Sequence, residues 1–425
     1  MVSARQELRA LLALALPSAL STYCFFAISI TELSVMGHLG VDELAAVAYS
    51  QMCLDLSMLV FMQGFNAGMN ALCSQAFGAK NYHLLGEYTL LTSLLLTVAC
   101  VPLAVLWWNL GDILFGAGVT ERVAALASVY CRLSLLWLWP RSMFQVLACF
   151  YQAQHIVQPT AAFNALAVVL NSFMVVGLTY GRFGMPELGF IGCPLGTALA
   201  LIVRLVGYVG YMNFYRKYHR RCAWRCDGRF LDGSILRNLV SVGVPLAGGT
   251  LFENAQLITM TLFAATIGEI QLGTHNSMME LFFFATSPLY AVVTAAVTRM
   301  GTHLGAGKPA QALLAAQVCG ACIAALTAIN SVIIARPMPV MVGFAAGAWL
   351  VGVPVAYMLG VHPSQPSLLG VWIGMICGYT VTSAIGFLTA FGRPNWQQEA
   401  DKAVMRSHLK EKELASPQDS DPLLP

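Results

Sequence analysis

From Leu90 to Trp108 the chain reads LLTSLLLTVACVPLAVLWW, a run without a single charged residue. A helix needs about 20 such residues to cross the hydrocarbon core of a bilayer, where its backbone polar groups must pair within the segment. Comparable runs recur along the whole chain. Only 10% of its 425 residues are charged and 58% are hydrophobic, whereas a soluble domain carries roughly 25% charge. The expected fold is therefore an all-α polytopic membrane protein whose main partner is the lipid bilayer. The first apolar run begins at Leu8 and continues too long for a cleavable signal.

Spanning helices are expected near residues 8–36, 47–72, 88–109, 123–151, 159–180, 188–213, 237–266, 270–298, 310–335, 339–360 and 368–391. The spans fall into two lobes, 8–213 and 237–391, the second short by about one helix. Residues 214–236, between them, carry Arg216, Lys217, Arg220, Arg221, Arg225 and Arg229. Positive charge flanking spans marks the cytoplasmic side, so this linker and the N-terminus are expected there. Residues 392–425 form a polar tail expected to be disordered. Most cysteines fall within apolar runs, where they act as small core residues. Cys222 and Cys226 in CAWRC could pair or bind metal, or do neither.

The two lobes look like copies. LALALPSAL around Pro17 is answered by LVSVGVPLAGG around Pro245 (245 − 17 = 228), and Gly40 by Gly268 (268 − 40 = 228). Gly78, in LCSQAFGAKNY, is answered by Gly305, in RMGTHLGAGKPAQA (305 − 78 = 227). An even number of spans separates each pair, so both halves run the same way, about an axis along the membrane normal, as in many secondary transporters. The register then breaks: Gly189 in ELGFIGCPLG matches Gly370 in SLLGVWIGM (370 − 189 = 181). About one helix is missing near ARPMPV, leaving eleven expected spans where the symmetry predicts twelve.

The segments ARQELRALLALALPSAL, VMGHLGVDELAAVA, NALCSQAFGAKNYHLLG and AAVTRMGTHLGAGKPAQA resemble the multidrug and toxic compound extrusion (MATE) transporters, the animal branch most closely. The resemblance implies two six-helix lobes around a central cavity that opens alternately to either side, and export of organic cations in exchange for protons, or for sodium in some branches. No phosphate loop and no clustered metal ligands appear, so neither an enzyme nor an ATP-driven pump is expected, and neither cofactor nor nucleic acid. A monomer is expected.

Carboxylates within spans cost roughly 2.5–3.5 kcal/mol on insertion scales, so each needs a reason. Three stand out: Glu32 in SITELSVMG, Glu253 in GTLFENAQLI and Glu280 in NSMMELFFFA. Glu253 and Glu280 flank the turn at Gly268 at similar depth, where two carboxylates in one apolar pocket resist simultaneous ionisation. Either would suit a group that exchanges a proton for an organic cation, or a hydrogen-bond partner that fixes helix packing. By resemblance both match acidic positions of animal MATE transporters. Glu32 stands where some bacterial members carry an Asp linked to the cation, or it snorkels outward beside Asp42 and Glu43. Bacterial relatives carry an acid at the position of Val175, and animal relatives a further Glu in the tenth helix; this chain has neither.

Cavity candidates are Gln63, Asn66 and Asn70, at helical spacing in MQGFNAGMNAL, with Asn164 and Asn171 on the fifth span. Asn254 and Gln256 flank Glu253, and Phe252 and Tyr290 could offer a cation an aromatic face. Interhelical packing explains each of these as well. Intramembrane cations reduce to Arg132, Arg141 and Arg204, so the cavity is expected to be acidic. That argues against a flippase for lipid-linked oligosaccharides; a transport-impaired or regulatory membrane subunit is the other alternative. In the tail, Asp419 four residues before Leu423 and Leu424 fits an acidic dileucine sorting pattern. It would place the protein in endosomes or lysosomes rather than the plasma membrane, provided that the tail is cytoplasmic; twelve spans would put it there, eleven outside.

Overall fold

The computed structural model describes residues 4–58, 62, 64–218, 232–267, 269–326, 351–361, 368–391 and 401. Among them every regular element is helical. The first half comprises α1 (Ala4–Gly37), α2 (Val41–Met58), α3 (Gly64–Gly78), α4 (Tyr82–Trp108), the short α5 (Leu110–Gly116), α6 (Glu121–Ala153), α7 (Gln158–Tyr180) and α8 (Gly192–Val209), which continues as a π-helical turn to Tyr215. The second comprises α9 (Gly233–Ile267), α10 (Glu269–Gly305), α11 (Pro309–Leu326), the single turn α12 (Val353–Ala356) and α13 (Leu368–Phe391). Six described helices are long and apolar enough to cross a membrane, beginning at Ala4, Tyr82, Glu121, Gln158, Gly189 and Gly233. Most of the basic linker, the register break and the tail with Asp419, Leu423 and Leu424 lie outside the described residues, as does Gln63.

Turn chemistry matches the sequence. Asn81 caps α4, accepting the Leu84 N–H at 3.1 Å, and Gly181 ends α7 in the left-handed conformation at φ 63°. Pro17, Pro102, Pro140, Pro245 and Pro288 all sit inside long helices, as membrane helices tolerate.

The first half packs around one large core in which Trp107, Tyr130, Phe150, Tyr151 and Tyr208 are fully enclosed. Helix α1 serves both halves. Its last turns place Val35 and Met36 in that core, while Leu11, Leu14 and Ala15 pack against Leu289, Val292 and Ala296 of α10.

The repeat seen in the sequence is also a contact between the halves. Asn70 and Thr298 are separated by 228 residues, the offset of the repeat, and hydrogen-bond to each other at 3.3 Å. One turn on, Ser74 faces Gly301, at an offset of 227 (301 − 74 = 227). Beyond them Gly78 sits against the Thr302 backbone and Gly305 against the Gln75 backbone, two contacts that exchange under the same offset. Residues equivalent in sequence thus meet across the pseudo-twofold axis. LCSQAFGAKNY and RMGTHLGAGKPAQA are the two faces of one helix crossing between α3 and α10, and both faces need glycine because a Cβ at either site would enter the opposing main chain.

Candidate functional site

Glu32 is almost fully buried in α1. Its carboxylate accepts hydrogen bonds from Gln51 Nε2 of α2 (2.5 Å), from Tyr130 Oη of α6 (2.7 Å) and from the Thr197 hydroxyl of α8. Thr197 in turn accepts from Asn171 Nδ2 of α7 at 2.8 Å. Four helices besides α1 therefore converge on one carboxylate. Hydrogen bonds to charged groups contribute about 1.5–3 kcal/mol each, and together they offset part of the cost of burying it. The outward-snorkelling alternative for Glu32 is thereby corrected. Asp42 and Glu43, its supposed companions, pair instead with Arg122 at 3.0 and 3.6 Å. Val175, one turn beyond Asn171, is fully buried, an apolar wall where a second acid would stand.

Glu253 lies 14 residues before the end of α9, about 21 Å at 1.5 Å per residue. It is half-buried. Tyr290 of α10 donates its hydroxyl to Glu253 Oε1 at 3.2 Å, which fixes the antiparallel α9–α10 pairing. The Glu280 side chain, the expected companion of Glu253, lies outside the described residues; among the described residues the group brought to Glu253 is Tyr290. Tyr290 is 39% exposed, so the hydroxyl–carboxylate pair stays reachable. Phe252 beside it is half-buried. Asn254 is occupied with its own helix, donating to the Thr250 carbonyl at 2.8 Å, so it does not touch Glu253 through that amide. Gln256 is fully buried, and neither its Oε1 nor its Nε2 has a hydrogen-bond partner among the described residues.

The remaining asparagines divide between the two halves' contact and the first half's interior. Asn70 is spent on Thr298, and the buried Asn66 has no partner for its Oδ1 among the described residues. Asn164 accepts from Arg204 Nη1 at 2.9 Å. The expectation of an interior nearly free of cations is therefore corrected for the first half, where Arg204 and Arg141 both point inward, Arg141 bonded to Asp55 at 3.1 Å.

At the face carrying the linker, the halves are clamped. Arg299 of α10 donates from Nε and Nη2 to both oxygens of the buried Glu7 at 2.8 and 2.7 Å, with His303 at 3.4 Å. Close by, His155, just past α6, reaches Thr302 at 3.1 Å, and Gln152 reaches Thr298 at 3.4 Å. Burial, assisted by the Arg299 charge, pushes the His155 imidazole down to about 4. Further in, Gly64 touches Ala247 and Gly68 touches Gly243 of α9. Every cross-half contact named here lies on the linker side of Glu253.

Sequence reasoning missed the partners more than the carboxylates. Tyr130, Gln51 and Thr197 carry no signal that separates them from other polar residues in spans. Asp55 did carry one, as an acid within an expected span, as did Glu7 near the start of the first.

A family model described as MatE matches residues 17–176. Protein DETOXIFICATION 16 of Arabidopsis thaliana is 25% identical over a 461-position alignment covering 95% of this chain and 92% of that protein. The crystal structure of the eukaryotic MATE transporter AtDTX14 superposes with a TM-score of 0.79 at 21% identity, covering 95% of this chain and 99% of that one. An outward-facing multidrug resistance MATE family transporter of the MOP superfamily gives a TM-score of 0.77 at 16% identity, over 93% and 97%. The likeness in fold extends over nearly the whole chain.

Proposed function

We propose that this chain, which belongs to the MATE family of multi-pass membrane transporters, exports small organic cations in exchange for protons by alternating access. The observation that carries this reading is the setting of Glu253, deep in α9 with a single neutral hydroxyl, Tyr290 Oη, as its partner among the described residues. A charge at such depth costs roughly 2.5–3.5 kcal/mol, and one hydrogen bond to it offsets about 1.5–3 kcal/mol at best. Proton binding removes the deficit, and so does a cationic cargo. The two compete for one carboxylate, and that competition is the simplest coupling an antiporter can use.

Glu32 differs. Its donors from α2, α6 and α8 occupy three of the roughly four lone-pair sites of the carboxylate, so protonation weakens it as an acceptor and loosens α1 from its neighbours. Since α1 also packs on α10, that loosening reaches the clamp at the linker face. In this reading Glu253 exchanges ions and Glu32 biases the conformation. The clamp, on the cytoplasmic side, holds the transporter open to the opposite side, and its release admits cargo. Export would cross the plasma membrane or, if the Asp419 and Leu423–Leu424 pattern acts as an address, an endosomal or lysosomal one.

The test is efflux of tetraethylammonium from proteoliposomes under an imposed pH gradient. Wild type should move the cation against proton flux, and Glu253→Gln should abolish the dependence on the gradient. Wild-type-like exchange by that variant would sink the reading.

A further inference from the structure

Three charged side chains sit deep in the first half, and cation exchange at Glu253 uses none of them. Arg141 on α6 and Arg204 on α8 lie 12 and 11 residues from Ala153 and Tyr215, the nearer described ends of their helical segments, and Asp55 on α2 is bonded to Arg141 at that level. Those distances are about 18 and 16 Å along the axis. Arg141 and Asp55 form a pair at 3.1 Å, neutral as a unit, with the guanidinium over the rings of Phe25 and Trp137 at 4.8 and 5.1 Å.

Among the described residues Arg204 has no such counter-charge. Its Nη1 is spent on the neutral Asn164 amide, and its guanidinium lies 3.9 Å from the centre of the Phe144 ring. Its Nε is buried without a hydrogen-bond partner among the described residues. The charged group that acts on it is Arg141, a second cation. One ring face and one neutral amide oxygen are the compensation of Arg204 among the described residues, which leaves a donor of a buried cation unmet. Meanwhile the Asp55 and Arg141 side chains are 40% and 25% exposed. An ion pair showing at this depth is disfavoured against lipid and marks an aqueous approach to the same region.

We propose that Arg204 anchors an anion site in the first half that takes the carboxylate group of an organic cargo. With Nη1 engaged, the edge formed by Nε and Nη2 remains, and its two parallel N–H bonds match the two oxygens of a carboxylate better than a spherical ion. The halves would then have opposite preferences: a carboxylate in the second for positive groups, a guanidinium in the first for negative ones. The inference goes beyond cation exchange and stands independently of it.

The test is ligand-dependent melting of the purified full chain, titrated with benzoate, with its neutral isostere benzamide, and with chloride at matched ionic strength. Benzoate alone should raise Tm. Asn164→Asp replaces the amide by a carboxylate of the same shape beside Arg204 Nη1. It should raise the ligand-free Tm and weaken benzoate at least tenfold. Arg204→Gln should lose the response as well; if that variant fails to fold, Asn164→Asp decides. Equal shifts with benzamide or chloride in wild type, or an undiminished benzoate response in Asn164→Asp, overturn the proposal.

Discussion

Replacing Gly305 by alanine adds one methyl group at the helix crossing that seals the linker face. That methyl would point at the Gln75 carbonyl of α3. A main-chain oxygen inside a helix cannot rotate aside as a side chain can, so α3 and α10 must move apart. Overpacking of this kind costs about 1–3 kcal/mol, and the cost falls only on the conformation in which these helices touch. A bias of 1–3 kcal/mol corresponds to roughly a 5–150-fold change in the balance between closed and open linker faces. Spin labels at His83→Cys and Ala306→Cys, both exposed positions next to the crossing, on a background without the native cysteines, report its width. The parent should give mainly short distances, and Gly305→Ala should move a substantial fraction to longer ones. Gly78→Ala, its counterpart against Thr302, should do the same. Distance distributions unchanged by either substitution would refute the assignment of this crossing as the seal.

Two further outcomes follow from the clamp. Arg299→Met strips the buried Glu7 of its bidentate partner, and an orphaned buried charge costs about 3–5 kcal/mol; Glu7→Gln added to it should restore part of the lost Tm. The second concerns pH. His155 has its imidazole held down at about 4 by burial and Arg299, so the unfolded chain takes up that proton at higher pH than the folded one. Stability from this group is full above about 6.5 and is lost as pH falls toward 4, on the order of 2–3 kcal/mol in all. His155→Asn, a residue that tolerates the left-handed backbone found there (φ 64°), should flatten that part of the Tm profile between pH 6.5 and 4.5.

The architecture was legible because its two determinants are local: uncharged runs long enough to span a bilayer, and glycine and proline at a constant offset. The offset even anticipates which residues face each other, as Asn70 and Thr298 do, since a twofold axis brings equivalent positions together. Carboxylates were legible too, because burying one is costly enough that its presence in a span is informative. Their partners were not. Tyr130 lies 98 residues and Thr197 lies 165 residues from Glu32, and hydroxyls are common in membrane helices for packing alone. The Tyr290–Glu253 bond was not read either, because spacing along two helices fixes the level of a residue but not the azimuth that brings two side chains together. Arg204 was visible as an arginine in a span; its lack of a counter-ion is a property of three helices together, which no single segment encodes.

The account rests on one carboxylate serving two positive partners in turn. Its most direct test is the number of protons released when a cation binds. Calorimetric titration of tetraethylammonium into the purified protein, repeated in buffers of different ionisation enthalpy, yields that number. Wild type should release protons on binding, in an amount that grows as pH is lowered toward the point where the site is half-loaded, and Glu253→Gln should release none. Binding without proton release in wild type, or release that persists in the glutamine variant, would contradict exchange at Glu253.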